Sequence, residues 1–163
     1  MIPALVAALA MCLLPPVDAP VSRPFEAPAC QWCAGHRGIE FATGPGTPVR
    51  AAAAGTVTFA GVVAGERYVV VQHADGIRAT YGGLAPPTAA QGQRVARGAF
   101  VGRTAGPLHF GLRSGETYLD PAGRLPVRVG RPRLVPVNGV GRRPGGSSVS
   151  TCTAEVRGRG SPR

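Results

Sequence analysis

The sequence predicts an antiparallel all-β domain that extends from about Pro24 to Leu125. The 163-residue chain contains 24 Gly and 17 Pro, a density that suits short strands and tight turns rather than long helices. No window shows a sustained 3.6-residue hydrophobic period. Short apolar or alternating segments bounded by Gly or Pro follow one another instead, which is typical of all-β folds.

Seven segments match the strand pattern, and one pair of them is predicted to form a hairpin. Val, Thr, Tyr and Phe are concentrated in these segments, as they are in strands generally. The turn Ala74-Asp75-Gly76 separates two of the segments, and Asp-Gly is a strong hairpin signal.

Before the first strand, residues 20–34 are expected to be an irregular lead-in. In chain order, the predicted strands are 38–42, 48–51, 55–61, 68–72, 77–81, 98–102 and 108–113.

The N-terminus carries the pattern of an export signal. Residues 2–14 are apolar without interruption, a run that is too short to span a bilayer but suits the core of a signal peptide. Val17-Asp18-Ala19 supplies small residues for cleavage, so residues 1–19 are predicted to be a signal peptide. The protein would then be secreted or held at the cell envelope. A buried or uncleaved hydrophobic N-terminus is the alternative, because no basic residue precedes the apolar run.

The positive charge is concentrated in the C-terminal tail. The net charge is +10, but residues 121–163 contain nine Arg against Glu155 alone, and residues 21–120 are close to neutral. Residues 126–163 are rich in Arg, Gly and Pro, lack hydrophobic periodicity and are predicted to be disordered. The β domain shows no basic and aromatic platform for a nucleic acid, so no nucleic-acid partner is expected.

The absence of lysine excludes several classes of chemistry. All 18 basic residues are Arg, so a Schiff base and a P-loop ammonium group are ruled out. A carrier domain that presents a lipoylated or biotinylated lysine is excluded for the same reason.

Cys30 and Cys33 form a CxxC pair shortly before the first predicted strand. One CxxC without a second one is weak support for a zinc site. Outside the cytoplasm a disulfide is favoured, and it would hold the chain where the β domain begins.

Two histidines and one carboxylate form a candidate metal site. His36 precedes Glu40 by four residues, and such positions in an extended segment lie on the same face. His109 lies within a predicted strand between two apolar residues. Two imidazoles and a carboxylate that converge from strands suit zinc with an open position for water, or non-haem iron. Taken singly, a histidine in a strand is more often structural.

Four consecutive blocks of sequence resemble one peptidase family. They are HRGIEFATGPGTPVRAAAAGTVTFAG, YVVVQHADGIRATYGGL, QGQRVARGAFVG and GPLHFGLRSGETYLDP. In this order and at these spacings, the chain resembles the lysostaphin-type (LytM-like) zinc metallopeptidases, which cleave the peptide cross-links of bacterial peptidoglycan. The resemblance implies a domain at residues 35–125 with the antiparallel β-sheet core of these peptidases, a duplicated hybrid motif with short loops.

The resemblance also implies which residues bind the metal. The family's H-x-x-x-D motif corresponds to His36 and Glu40, with Glu in place of Asp, and the second His of its H-x-H motif corresponds to His109. These three residues would hold zinc, more weakly than usual because the Glu40 side chain is one methylene longer. His73 matches a position that is often His in the family and is expected to be structural.

Both positions that carry catalytic histidines in the family differ in this chain. Gly83 replaces the His of the Y-A-H-L block, and Pro107 replaces the first His of H-x-H. Neither side chain can donate or accept a proton, so no catalytic residue is assigned, and whether the chain is an enzyme stays open. Arg37, Tyr81 and Arg113 are expected to contact the substrate beside the metal.

The sequence therefore predicts a secreted, peptidoglycan-associated, metallopeptidase-like protein that is catalytically impaired. It would bind the cell wall or regulate wall hydrolases, so its partners would be peptidoglycan or a wall hydrolase. An active zinc metalloendopeptidase that cleaves peptidoglycan cross-link peptides is the alternative. The mature protein is expected to be a monomer without a stable membrane insertion.

Overall fold

The computed structural model describes residues 12–30 and 32–126, which fold into an antiparallel β-sheet of nine strands. A short 3₁₀ helix, Pro121–Arg124, follows the last strand. Within the described residues, no helix is long and apolar enough to cross a membrane. The strands are β1 (Val21–Arg23), β2 (Ile39–Phe41), β3 (Pro48–Arg50), β4 (Gly55–Val63), β5 (Glu66–His73), β6 (Arg78–Ala85), β7 (Arg94–Val95), β8 (Phe100–Ser114) and β9 (Thr117–Leu119).

The sheet is organised around β8. Its strand order is β1-β2-β8-β6-β5-β4-β7, and β3 and β9 pair with other stretches of β8. Antiparallel ladders thus join β8 to β2, β3, β6 and β9. The antiparallel all-β fold predicted from the sequence is confirmed.

The β5–β6 hairpin forms where the Asp-Gly signal predicted it. The Gly76 amide donates to the His73 carbonyl (3.0 Å), and the Ile77 amide donates to Oδ1 of Asp75 (3.0 Å), so the Asp75 side chain fixes the turn. Gly76 has a φ of +79°, a conformation that glycine adopts without steric cost. His73 Nδ1–H donates to the Ala54 carbonyl (2.9 Å) at the end of this hairpin.

Two of the predicted strands are one continuous strand. The segments 98–102 and 108–113 are both part of β8, which runs through Pro107. Pro107 is exposed, and proline is tolerated in a strand where its missing N–H is not needed for a ladder bond. The two halves of β8 pair with different strands, β3 and β2, and local sequence patterns do not report such partners.

The lead-in at residues 20–34 is more regular than expected. It contains β1, which pairs with β2, and Glu26 forms a bridge with His36. Pairing with the edge of β2 overrides the weak strand propensity of this segment. Cys30 and Cys33 are joined by a disulfide, the state that the CxxC spacing favours outside the cytoplasm.

Tyr81 and Phe110 lie in the hydrophobic core. Both are fully buried, and their ring centroids are 5.4 Å apart. The Tyr81 hydroxyl accepts a hydrogen bond from the Ala52 amide (2.8 Å), which satisfies its polar tip inside the core. The same core contains Val49, Val57, Val69, Val71, Val101, Leu108 and Leu112.

Part of the predicted signal peptide packs against the β domain. Leu13 and Val17 are 4% and 5% exposed and belong to the hydrophobic core. The Leu13 amide donates to the Arg124 carbonyl (2.9 Å), and the Leu14 amide donates to the Ala52 carbonyl (2.8 Å). Cleavage after Ala19 would remove all of these contacts.

Parts of two predicted segments lie outside the described residues. These parts are residues 1–11 of the predicted signal peptide (1–19) and residues 127–163 of the predicted tail (126–163). Cleavage of the first segment and disorder of the second therefore stay predictions.

Leu13→Ala is expected to lower the free energy of unfolding by about 2–4 kcal/mol, because it removes a buried side chain from a packed core. Val63→Ala is the matched control: Val63 is 53% exposed, and its truncation should cost no more than about 0.5 kcal/mol. Urea unfolding followed by circular dichroism measures both variants. Equal stabilities of the two variants would contradict a structural role for Leu13.

Candidate metal centre

His36, Glu40 and His109 come together on the face of the sheet opposite the core. Each offers one ligand atom, and these atoms all lie within 4.8 Å of one another. Nε2 of His36 and Oε1 of Glu40 are 3.7 Å apart. The two imidazole rings meet edge to face, with centroids 5.3 Å apart. The three residues that the motifs predicted as ligands thus form one cluster, which we call the metal cluster.

Strand register places Glu40 beside His109. Glu40 of β2 pairs directly with His109 of β8, so both side chains project from the same face at neighbouring positions. His36 approaches from the segment before β2, where it exchanges two backbone hydrogen bonds with Glu26 (2.9 and 3.0 Å). Local spacing therefore supplies two of the donors, and strand pairing adds the third.

A backbone carbonyl orients the His36 imidazole. Its Nδ1–H donates to the carbonyl oxygen of Pro24 (2.7 Å), which fixes the tautomer of the neutral ring and leaves the lone pair on Nε2. His36 is 6% exposed, and its Nε2 atom has no hydrogen-bond partner among the described residues. A buried polar atom without a partner is costly, and a metal ion at the cluster would satisfy this one.

His109 is held as a neutral imidazole. Burial lowers the pKa of His109, and the neighbouring His36 ring lowers it further, while the Glu40 carboxylate acts in the opposite direction. The ring is therefore unprotonated at pH 7 and free to use a lone pair as a ligand. Two imidazoles and one carboxylate are a donor set that zinc accepts.

Gly38 makes room for the His109 ring. A Cβ atom at position 38 would lie 2.5 Å from the Phe110 carbonyl oxygen and 2.8 and 2.9 Å from Cε1 and Nε2 of His109. A larger residue would have to displace the backbone or the imidazole, because all three distances are too short for a Cβ atom. Gly38 is therefore part of what sets the position of His109.

Two arginines lie beside the metal cluster and stack on Tyr118. The guanidinium carbons of Arg37 and Arg113 are 5.5 and 5.7 Å from the centre of the Tyr118 ring, within the range of cation–π attraction. All three residues line a cavity of about 240 Å³ together with His109. Arg37 also donates to the Cys33 carbonyl (3.1 Å), so the disulfide-closed turn helps to hold it.

Tyr81 does not reach this cavity. Its side chain is fully buried in the core, where its hydroxyl accepts the hydrogen bond from Ala52. Side chains alternate between the two faces of a strand, and Tyr81 occupies the face opposite the metal cluster. The prediction that Tyr81 contacts substrate is therefore wrong, and its role is structural.

Three side chains near the metal cluster were not predicted to be functional. Tyr118 stacks with the two arginines, Tyr68 lies over Gly82 beside His109, and Glu66 accepts a hydrogen bond from Tyr68. Tyr68 and Tyr118 lie within the blocks of the resemblance but outside its histidine motifs, and Glu66 lies outside the blocks. Strand pairing brings them to the site, and local sequence carries no direct signal of it.

The two positions that lack the family's catalytic histidines lie side by side. A Cβ atom at Gly83 would be 2.7 Å from the Pro107 carbonyl oxygen, and Gly83 has a φ of +74°. Both positions adjoin the metal cluster, because the preceding residue Gly82 pairs with His109. Neither glycine nor proline offers a side-chain proton donor or acceptor. The site thus combines three candidate metal ligands with two neighbouring positions that lack a side-chain acid or base.

Comparison with known proteins agrees with these motifs. The profile of peptidase family M23 matches residues 34–121, which is more than half of the chain. The chain belongs to peptidase family M23. The metal cluster, Gly83 and Pro107 all lie within the matched M23 region, so both the retained donors and the missing histidines are features of that domain.

The M23 domain has curated relatives that are longer than this chain. An uncharacterised protein of Mycobacterium tuberculosis is 37% identical over 141 residues, which cover 75% of this chain and 53% of that protein. The DD-carboxypeptidase/endopeptidase Mpg of Neisseria meningitidis is 38% identical over 95 residues, which cover 53% of this chain and 22% of Mpg. The chain therefore spans about half or less of the length of these relatives.

Solved structures share the fold of this M23 domain. A zinc-containing peptidase of Vibrio cholerae superposes with a TM-score of 0.57 and 26% identity, over 65% of this chain and 37% of that one. Lysostaphin superposes with a TM-score of 0.55 and 24% identity, over 64% of this chain and 49% of its own, and shows likeness of fold alone. The predicted lysostaphin-type β-sheet core is confirmed.

Gly38→Ala is expected to weaken zinc affinity at least tenfold, because the added methyl group displaces the His109 ring or the strand that carries it, and misoriented ligands typically cost about 10–100-fold. Gly44→Ala is the matched control, since a Cβ atom at Gly44 would meet nothing within 4 Å. Competition with a chromogenic chelator measures zinc affinity, and circular dichroism confirms that both variants are folded. Wild-type zinc affinity in folded Gly38→Ala would contradict this account of the site.

Proposed function

We propose that this chain is a secreted M23 domain that binds zinc and a peptide of the bacterial cell wall but hydrolyses that peptide poorly. The observation that carries the proposal is the contrast between the intact metal cluster and the absence of side-chain acid–base groups at Gly83 and Pro107. The protein would act at the cell envelope, either by binding peptidoglycan or by regulating a wall hydrolase.

Zinc is the metal that the donor set fits best. The buried Nε2 atom of His36, which lacks a partner within the described residues, supports its role as a ligand. Glu40 would complete a set of three protein ligands that leaves a position for water. When bound, zinc supplies polarisation of a peptide carbonyl and a coordinated water whose pKa is lowered to about 7.

Proton transfer is the part of peptide hydrolysis that these residues do not support. The leaving amine needs a proton, and positioned acid–base groups contribute about 10²–10⁴-fold to such reactions. Gly83 and Pro107 supply no such group. A histidine at position 83 would also meet the Pro107 carbonyl and would need a left-handed backbone conformation, which is uncommon for residues other than glycine.

Arg37 and Arg113 are proposed to bind a carboxylate of the peptide. Both lie in the cavity that His109 lines, and guanidinium groups bind carboxylates through two parallel hydrogen bonds. Glu116 pairs with Arg113 (2.5 Å), but its side chain is 76% exposed. A ligand carboxylate in the cavity can therefore compete with Glu116 for the same guanidinium group.

The relatives support this choice of target. Mpg is described as a DD-carboxypeptidase/endopeptidase, so a protein similar to this chain acts beside a free peptide carboxylate. The similar peptidase of Vibrio cholerae is described as zinc-containing. Both descriptions agree with a cavity that combines zinc ligands with carboxylate-binding arginines.

Purified protein without an affinity tag is expected to hold one zinc ion per chain, and His36→Ala or His109→Ala should reduce this to less than 0.1, because two protein ligands cannot retain the ion. The matched control is His73→Asn, which changes a histidine outside the metal cluster that bonds to Ala54. Plasma emission spectrometry measures the zinc content. Equal zinc loss in the His73 variant, or no zinc in folded wild type, would contradict the metal assignment.

Zinc-loaded protein is expected to sediment with insoluble peptidoglycan without clearing a peptidoglycan suspension. The cavity beside His109 is present to bind a peptide, but the acid–base groups needed for hydrolysis are missing. Arg37→Gln with Arg113→Gln should reduce sedimentation at least fivefold, since two carboxylate-binding groups are lost. Turbidity and sedimentation are the two measurements.

Clearing of the suspension that stops when a chelator removes zinc would contradict impairment and would establish an active endopeptidase. Absence of sedimentation would contradict wall binding. Arg103→Gln is the control for non-specific charge. Arg103 lies on β8 outside the cavity, so this substitution removes a positive charge without altering the cavity and should leave sedimentation unchanged.

A further inference from the structure

A single row of paired residues crosses five neighbouring strands at the metal cluster. In sheet order the row reads Arg23, Glu40, His109, Gly82 and Tyr68. Directly paired residues project from the same face of a sheet, so these residues share one surface, which we call the groove together with the cavity that His109 lines. The metal cluster occupies its middle, and β5 contributes one end.

Gly82 leaves a gap that the Tyr68 ring fills. A Cβ atom at position 82 would collide with Cε1 of Tyr68, and it would lie 3.3 Å from Cβ of His109. The Y-A-H-L block of the resemblance has Ala at this position. Because this chain has Gly, the Tyr68 ring can cover the α-carbon of residue 82 and border His109. An aromatic surface therefore lies directly beside the metal cluster.

Glu66 places a negative charge at this end of the groove. Its Oε2 atom accepts a hydrogen bond from the Tyr68 hydroxyl (2.8 Å), which orients the carboxylate. Within residues 12–30 and 32–126, no arginine or histidine forms a salt bridge with Glu66, although the chain carries a net charge of +10. Because Tyr68 lies beside His109 through the gap at Gly82, this carboxylate lies on the Tyr68 side of the metal cluster.

The other side of the metal cluster is positively charged. Arg37 and Arg113 line the cavity next to His109, and Arg23 ends the row on β1. Arg23 pairs directly with Glu40, which is a member of the metal cluster. The groove is therefore negative on the β5 side and positive on the β1 and β9 side.

We propose that Tyr68 and Glu66 form a subsite for a primary ammonium group of the bound peptide. The ligand class is a short peptide that carries an amine-bearing side chain on one side of the metal cluster and a free carboxylate on the other. An ammonium group donates to the Glu66 carboxylate and lies against the Tyr68 ring. The subsite rests on the proposed function, because it describes how the same groove selects its peptide.

The dimensions of the sheet suit this ligand. Tyr68 and His109 lie two strands apart, which places their α-carbons about 10 Å from each other at the usual strand spacing. A side chain of the length of lysine covers most of that distance from a peptide held at the metal cluster. A shorter apolar side chain would leave the Glu66 carboxylate with the Tyr68 hydroxyl but without a cationic partner.

Isothermal titration calorimetry of zinc-loaded protein with three synthetic peptides tests the subsite. Nα-acetyl-Lys-D-Ala-D-Ala carries both charges, its Nε-acetyl derivative lacks the ammonium group, and its C-terminal amide lacks the carboxylate. Wild type is expected to bind the first peptide roughly five- to tenfold more tightly than the Nε-acetyl derivative. In Glu66→Gln this ratio should fall to about one, while the loss of affinity on C-terminal amidation should persist.

Glu116→Gln is the matched control, because it removes an exposed carboxylate on the opposite side of the groove and should keep the ratio between the first two peptides. A ratio near one in wild type, or a ratio that survives Glu66→Gln, would overturn the subsite and leave the proposed function standing. If wild type bound none of the three peptides, both the subsite and the proposed function would fall.

Discussion

The register of β8 against β2 and β6 is the constraint on which the candidate site depends. Because side chains alternate between faces along a strand, a slip of one residue would turn His109 into the core. The core positions Leu108, Phe110 and Leu112 oppose such a slip, since burial of each large apolar side chain contributes about 1.5–3 kcal/mol. Hydrophobic packing on one face of the sheet thus fixes the candidate metal donors on the other.

The geometry of the donors and the supply of protons are separable in this fold. Glu40 and His109 lie in a regular ladder between β2 and β8. The missing acid–base groups map to Pro107 and to Gly83, which lies where the pairing of β6 with β8 shifts register. Changes at such an irregularity leave the ladder between β2 and β8 intact. Substitutions at positions 83 and 107 are therefore compatible with an unchanged arrangement of His36, Glu40 and His109.

Local patterns and motif spacing predicted the elements that they encode directly. The β5–β6 hairpin follows from Asp-Gly, and the grouping of the candidate donors His36, Glu40 and His109 follows from their motifs. The position of Tyr68 beside His109 depends on pairing among three strands, which no local pattern reports. Tyr81 was misassigned because its sequence neighbourhood does not show which strand face is the core.

The apolar run at the N-terminus shows a similar limit, because hydrophobic composition does not distinguish an export signal from a segment that packs into the core. Leu13, near the end of that run, also brings the two ends of the described domain together, because its amide donates to the Arg124 carbonyl. A unit whose ends are adjacent can be spliced into a surface loop of a host protein without separating the two sides of that loop. The adjacent ends of this domain thus suit its insertion into a multidomain protein.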